Sequence, residues 1–228
     1  MMIRLHGRFR WMIILFFGAL PFLSGQDRDF QSWWELAFDK GLGSRFELEG
    51  ELEQRFNQNS LRYNQSMVTL SLDYQLFDFL RISGGFRTLL DSDRERQLSL
   101  RYRLHSDVRA EKKMGAFEID LRTRLQYGVE DVGEYANLEQ NDLVWRNRLR
   151  LSQHIFGTRW DWFLSLESWH LLSPSPLPSF YQMRYAAGFM FRPGFRSRFS
   201  IRYMLDDEFQ RSAPDQDHIL VLGYHYSF

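Results

Sequence analysis

Three sets of residues could carry chemistry. The first is charge placed at every second position: Glu47, Glu49, Glu51 and Glu53 form one run, and Arg146, Arg148 and Arg150 another. Such columns suit ion pairing, because guanidinium stays charged and grips a carboxylate through two parallel hydrogen bonds. The second is His225-Tyr226-Ser227, where an imidazole could take the proton of a hydroxyl nucleophile if both side chains share a strand face. The third is the set of scattered carboxylates and the six histidines, which show no His-x-x-x-His or comparable ligand spacing. His105 and Ser106 are adjacent and would face opposite ways on a strand. The chain has no cysteine, which removes thiol catalysis, disulfides, cysteine zinc sites and an acylated lipoprotein anchor. No glycine-rich phosphate loop is present, and Gly84-Gly85 falls mid-strand, where a bend or close packing is expected. The expectation is no catalytic set, no metal and no cofactor.

These residues sit in a chain with one dominant period, which is two. In Arg45–Phe56, Phe46, Leu48, Gly50, Leu52 and Phe56 alternate with Arg45, Glu47, Glu49, Glu51, Glu53 and Arg55. The same split recurs at 68–76, 98–105, 117–127 and 143–152, with further candidates near 30–39, 80–89, 160–169, 180–191, 198–205 and 218–228. Most are longer than the 5 or 6 residues, roughly, of an average soluble strand, and they fit the 9–11 or so tilted residues that cross a membrane. A mean hydropathy of −0.43 excludes a polytopic helical membrane protein but not a barrel.

Residues 1–26 place Arg4, Arg8 and Arg10 before an apolar run from Trp11 to Leu23, then small Ser24 and Gly25. This is the pattern of a secretory signal peptide. The expected organisation is therefore a leader at 1–26 and a single β-barrel at 27–228. Basic and acidic residues balance at 29 each, so nothing points to nucleic acid. Removing the leader takes arginines and no acids, which leaves the remainder slightly acidic.

Connections alternate in length. Short turns fall at 40–44, 77–79, 111–115, 156–158 and 193–196, and longer polar stretches at 128–141, 171–179 and 206–217. Short turns at one end and long loops at the other are the pattern of outer-membrane barrels. Phe38, Phe46, Phe77, Phe79, Phe117, Phe156, Trp160, Trp162, Phe195 and Phe199 cluster beside the short turns, where a lipid-interface girdle belongs.

Energy then decides which face meets lipid. An arginine near mid-membrane on the lipid side costs about 2–4 kcal/mol, so Arg146, Arg148 and Arg150 together would cost about 6–12. That rivals a whole domain's stability of about 5–15 kcal/mol. The charged faces must line the lumen, and the argument assigns every apolar face to lipid. The inward acids are then Glu47, Glu49, Glu51, Glu53, Asp73, Glu118, Asp120 and Glu167. The inward bases are Arg81, Arg87, Arg101, Arg103, Arg122, Arg124, Arg146, Arg148, Arg150, Arg184, Arg198 and Arg202. The acidic 47–53 column and the basic 146–150 column are expected to pair. Eleven segments are visible, whereas both termini on one side require an even number. Phe30–Asp39 is then an arm, giving ten strands, or two strands have been merged, giving twelve.

The ending HILVLGYHYSF, with Tyr224, Tyr226 and Phe228 on one face, resembles the C-terminal strand of bacterial outer-membrane proteins. That resemblance implies a terminal aromatic signal read by the barrel-assembly machinery. Trp33-Trp34, Glu53-Gln54-Arg55, Arg122-Thr123-Arg124, Arg146-Asn147-Arg148, Glu167, Arg184 and Asp217-His218 occur in an order similar to domain of unknown function 2490. The resemblance spans nearly all of 27–228. It implies an outer-membrane barrel of Gram-negative, Bacteroidetes-type bacteria, with no catalytic residues to carry over.

The expected protein is an all-β, antiparallel up-and-down transmembrane barrel of about 10–12 strands in the bacterial outer membrane. It is monomeric, bedded in outer-membrane lipid, and has a charged lumen and aromatic girdles. Three roles compete within that fold: a non-enzymatic structural or surface-binding barrel, a narrow charge-lined channel, and a lipid hydrolase. The hydrolase is the weakest of these, because His225 and Ser227 would point inward at the periplasmic end, whereas barrel hydrolases act on their lipid-facing side. A soluble lipocalin-like barrel is the alternative fold, and it would turn the apolar faces inward.

Overall fold

A chain that alternates apolar and charged residues over long runs can satisfy both faces only by separating them, and a closed sheet does so without leaving an edge. The computed structural model describes residues 28–92, 98–128, 142–172, 180–209 and 216–228. The leader at 1–26 and most of the long loops read from the sequence lie outside these residues.

The strands are β1 (Arg28–Gly41), β2 (Phe46–Asn57), β3 (Arg62–Phe77), β4 (Leu80–Ser92), β5 (Leu98–Met114), β6 (Phe117–Gly128), β7 (Asp142–His154), β8 (Trp160–Leu171), β9 (Phe180–Phe191), β10 (Ser197–Glu208) and β11 (Gln216–Ser227). Each pairs with its sequence neighbours, and β1 meets β11 to close the barrel. A 12-residue strand is about 40 Å long at roughly 3.3 Å per residue. Tilted by about 40°, it rises about 30 Å, the thickness of a bilayer's hydrocarbon core.

The strand number corrects the parity argument. Segment 30–39 is no arm but part of the wall strand β1, and no segment merges two strands. Eleven strands close because β1 and β11 run parallel, with Arg28 beside Gln216 and Asp39 beside Ser227. A parallel ladder uses the backbone donors and acceptors of both edges, so an odd barrel has no open seam. One consequence is that β1 begins at the long-loop end, while β11 finishes at the short-turn end.

The outer surface is apolar. Leu70, Leu72, Leu100, Leu121, Leu149, Leu166 and Ile201 are all exposed there. Aromatic pairs ring the short-turn end: Phe46 with Tyr74, Phe77 with Phe79, Trp160 with Phe191, Phe199 with Tyr224, and Phe38 with Phe228. A second set, including Phe86 with Tyr102 and Trp145 with His170, lies toward the long-loop end. In water such a surface would be an aggregation hazard, whereas in lipid it costs nothing.

The apolar faces turn outward, but the inward faces are not wholly charged. Trp33, Met67, Phe163, Trp169, Tyr181, Met204, Ile219 and Val221 are buried inside the barrel. Trp33, Met204, Ile219 and Val221 form one interior cluster, and Val144, Trp169, Leu171 and Tyr181 another. They share inward faces with charged residues, Trp33 with Glu35, Val144 with Arg146 and Trp169 with Glu167, so alternation carries them inside alongside the charges.

Two glycines are positioned by close approach. A Cβ on Gly85 would lie 2.4 Å from the His105 ring, and one on Gly50 would lie 2.2 Å from the Phe38 ring. Gly85 thus makes room for a lumenal imidazole, and Gly50 is roofed by an outer-surface ring. At the β2–β3 turn, Gln58, Asn59 and Ser60 all have positive φ. The Asp29 carboxylate holds this left-handed turn by accepting the Gln58 and Asn59 backbone N–H groups, each at 2.9 Å.

Candidate functional site: a charged lumen

Alternation on β5 to β9 brings charged side chains from five strands into one interior, and register decides which of them meet. Arg122 on β6 stands opposite Arg109 on β5 and Arg148 on β7, while Arg124 stands opposite Arg146. Like charges directly opposed destabilise a sheet unless acids lie between them. Here three acids do so. Glu167 accepts Arg122 Nη2 at 2.6 Å and Arg146 Nη2 at 3.1 Å. Asp120 takes Arg148 at 3.0 Å and also Arg109. Asp107 receives both Nε and Nη2 of Arg124, each at 2.7 Å.

The rest of the wall is paired more locally. Arg184 grips Asp206 through two nitrogens, and Arg202 meets Glu35. Arg87 donates to Thr69 at 2.7 Å and reaches Glu51 at 3.5 Å, and Arg101 pairs with Asp91 at 3.1 Å. Glu53 binds Arg55 on its own strand. The Arg55 guanidinium lies 3.6 Å over Trp33, while Arg146 and Arg184 lie over Trp169 at 4.6 and 4.9 Å.

Two expectations about this network are corrected. The 47–53 and 146–150 columns do not pair with each other. β2 and β7 are far apart in the ring, so Glu47, Glu49 and Glu51 turn to Arg81 and Arg87 on β4, while Arg146 and Arg148 turn to β8 and β6. Glu118 is at the rim rather than in the lumen, 3.7 Å from the exposed Lys113. Arg103 is buried and lines the interior. The sequence reading also passed over Glu35, Asp91, Asp107, Arg109 and Asp206. Asp107 and Arg109 were within reach of it, because alternation continues past His105 to the end of β5.

Glu47, Glu49 and Asp73 bring carboxylate oxygens within 4.8 Å of one another. Arg81 Nη1 sits among them at 3.4, 3.9 and 3.3 Å, so an internal cation already occupies the place a metal would take. His225 and Ser227 do meet a carboxylate, in an order that does not suit nucleophilic catalysis. Asp39 Oδ1 takes both His225 Nε2 at 2.7 Å and Ser227 Oγ at 2.9 Å. The serine proton is thus directed at the carboxylate and not at the imidazole, whereas an activated serine needs the base on its own proton. Tyr224 and Tyr226 lie on the outer face of β11, and Phe228 follows the strand, exposed. The Phe228 ring stands edge-on to Phe38 and Tyr226, and its N–H donates to the Asp39 carbonyl at 2.9 Å.

The interior contains open space. A cavity of about 880 Å³ occupies the long-loop half, bounded by residues such as Asp29, Arg62, Asp91, Glu167 and Asp206. A second, of about 320 Å³, occupies the short-turn half, bounded by Glu49, Asp73, Arg81, Arg198 and His225. Glu35, Glu51, Arg87, Arg122, Arg124, Arg148, Arg150, Phe163 and Arg202 line both, so one charged layer, the waist of the barrel, borders the two spaces. Six of these nine residues are arginines and two are glutamates.

A closed barrel with an apolar, aromatic-girdled exterior and an ionised, partly open interior defines the transmembrane β-barrel class, with a porin-like wall. Residues 30–217 match the family described as protein of unknown function, DUF2490, and the chain belongs to that family. Among curated proteins none matches in sequence. Among solved structures, the NanC porin in a rhombohedral crystal form has a similar fold, with a TM-score of 0.50 and 12% identity over 78% of this chain and 86% of that one.

Proposed function

We propose that this chain resides in the bacterial outer membrane as a non-enzymatic barrel whose lumen is a narrow, charge-lined passage for small solutes. The observation that carries the reading is the pair of cavities, one in each half of the barrel, on either side of a waist lined by charged side chains. A wall that served only as structure would gain most from a filled, fully paired core, as in the smallest barrels. Eleven strands fall between those and wide porins, and the interior volume agrees with that size. The apolar belt and terminal aromatic strand support an outer-membrane location, with assembly machinery reading Tyr224, Tyr226 and Phe228. The porin-like neighbour supports the same location.

The test has two parts. The native protein should fractionate with outer membranes and run on gels as a heat-modifiable band; recovery as a freely soluble periplasmic protein would overturn the location. Purified barrels in planar bilayers should then show small, stable ionic conductances, and electrically silent bilayers would overturn the passage.

A further inference from the structure

Most lumenal arginines have an acid of their own, but the waist has too few acids to go round. Arg150 is the clearest case. Its guanidinium lies 3.9 Å over the Phe163 ring and its Nη2 lies 3.2 Å from Met190 Sδ, and among the described residues no carboxylate pairs with it. Beside it, Arg122 and Arg148 each have a carboxylate at one end of the guanidinium, yet their buried Nε–H groups have no hydrogen-bond partner among the described residues. Uncompensated buried charge and unmet donors are both costly, and sites that break such local rules are where function is expected.

We propose that the waist is an anion site, formed by Arg150 with Arg122 and Arg148, and that it makes the passage selective for small oxyanions: carboxylate-, phosphate- or sulfate-bearing solutes. The selectivity rests on the passage reading above; the site itself does not. Two further features support charge, and not stacking, as the basis of recognition. Both cavities carry more arginines than carboxylates in their linings. The interior indoles that could stack on a neutral sugar are closed off, Trp33 under Arg55 and Trp169 under Arg146 and Arg184. An oxyanion beside Arg150 could accept from its guanidinium fork while the positive charges of Arg122 and Arg148 hold it there, which water or chloride does less completely.

The experiment compares wild type, Arg150→Gln and Arg150→Lys barrels in two assays. Under a potassium chloride gradient, wild-type reversal potentials should report preference for chloride. That preference should fall at least about threefold in Arg150→Gln and persist in Arg150→Lys, because one fixed charge at a narrow, low-dielectric constriction alters local ion concentration by such factors. In detergent, inorganic phosphate should raise the unfolding temperature of wild type above that in potassium chloride of equal ionic strength, and should do so much less in Arg150→Gln. Cation preference, or equal selectivity in wild type and Arg150→Gln, would overturn the selectivity. The absence of any phosphate effect on the wild type would overturn the site. Silent bilayers with phosphate stabilisation intact would remove the passage and leave the anion site standing.

Discussion

Asp120 stands directly opposite Arg150 across the β6–β7 ladder, yet its carboxylate is engaged by Arg148 and Arg109. An acid in register with one arginine thus serves the two beside it. Asp120 is only 2% exposed, so its charge is fully committed. This diagonal pairing leaves Arg150 without a carboxylate partner among the described residues.

The two partners of that relationship should respond oppositely to neutralisation. Asp120→Asn leaves Arg109, Arg148 and Arg150 facing one another, and removing one member of a buried ionic set costs about 3–5 kcal/mol. Arg150→Gln removes a charge that no carboxylate among the described residues pairs and should leave stability within about 1 kcal/mol of wild type, or raise it. Urea titrations followed by the folded-to-unfolded band shift check both; equal losses would mean that Arg150 has a partner in the native barrel.

How far the sequence revealed this arrangement depended on whether the information was local. Alternation along single strands placed all eleven wall segments, and charge on β2, β5, β6 and β7 fixed which face turned inward. Partner choice is set by register around the ring, which no single strand encodes. The 47–53 and 146–150 columns therefore looked complementary although β2 and β7 never meet. The facing rule held, but it named only the charges: Trp33 points in beside Glu35 while Trp34 points out, and Trp169 joins Val144 and Tyr181 inside, so the interior also carries apolar clusters. Parity failed for a different reason, since it presumed antiparallel closure.

The outward face of β6 offers a direct check on lipid exposure. Leu121 is 51% exposed between the inward Asp120 and Arg122. Leu121→Arg should cost about 2–4 kcal/mol and depress the yield of folded barrel in membranes. A soluble barrel would accept the same change almost without effect, so wild-type stability and yield in this variant would argue for water outside the wall.

Gly85 and His105 should behave as one unit. A methyl group at Gly85 collides with the imidazole, which lies 3.2 Å from Ser71 Oγ. Gly85→Ala should therefore cost about 1–3 kcal/mol, as overpacking does elsewhere. In a His105→Ala background the same change should cost less, the remainder coming from Ser71 Oγ, which also lies 2.5 Å from that methyl position. A double-mutant cycle measured by urea unfolding gives the coupling, and additive losses would mean that the ring readily moves aside.

The β2–β3 turn holds strain that a single substitution can release. Gln58 has φ of 50°, a conformation that costs a side-chain-bearing residue about 1 kcal/mol or more and glycine little. Its contribution to holding the turn is its backbone N–H, which glycine keeps, so Gln58→Gly should stabilise the barrel by about 1 kcal/mol. Asp29→Ala should do the reverse, because it strips the acceptor from two backbone N–H groups at once and loses about 1–3 kcal/mol. The two effects also differ in reach. Asp29 is on β1, the strand that completes the parallel seam, so its loss should speed hydrogen exchange in β1 as well as in the turn. Exchange confined to 58–61 in Asp29→Ala would show that the carboxylate caps a local turn and leaves the seam unaffected.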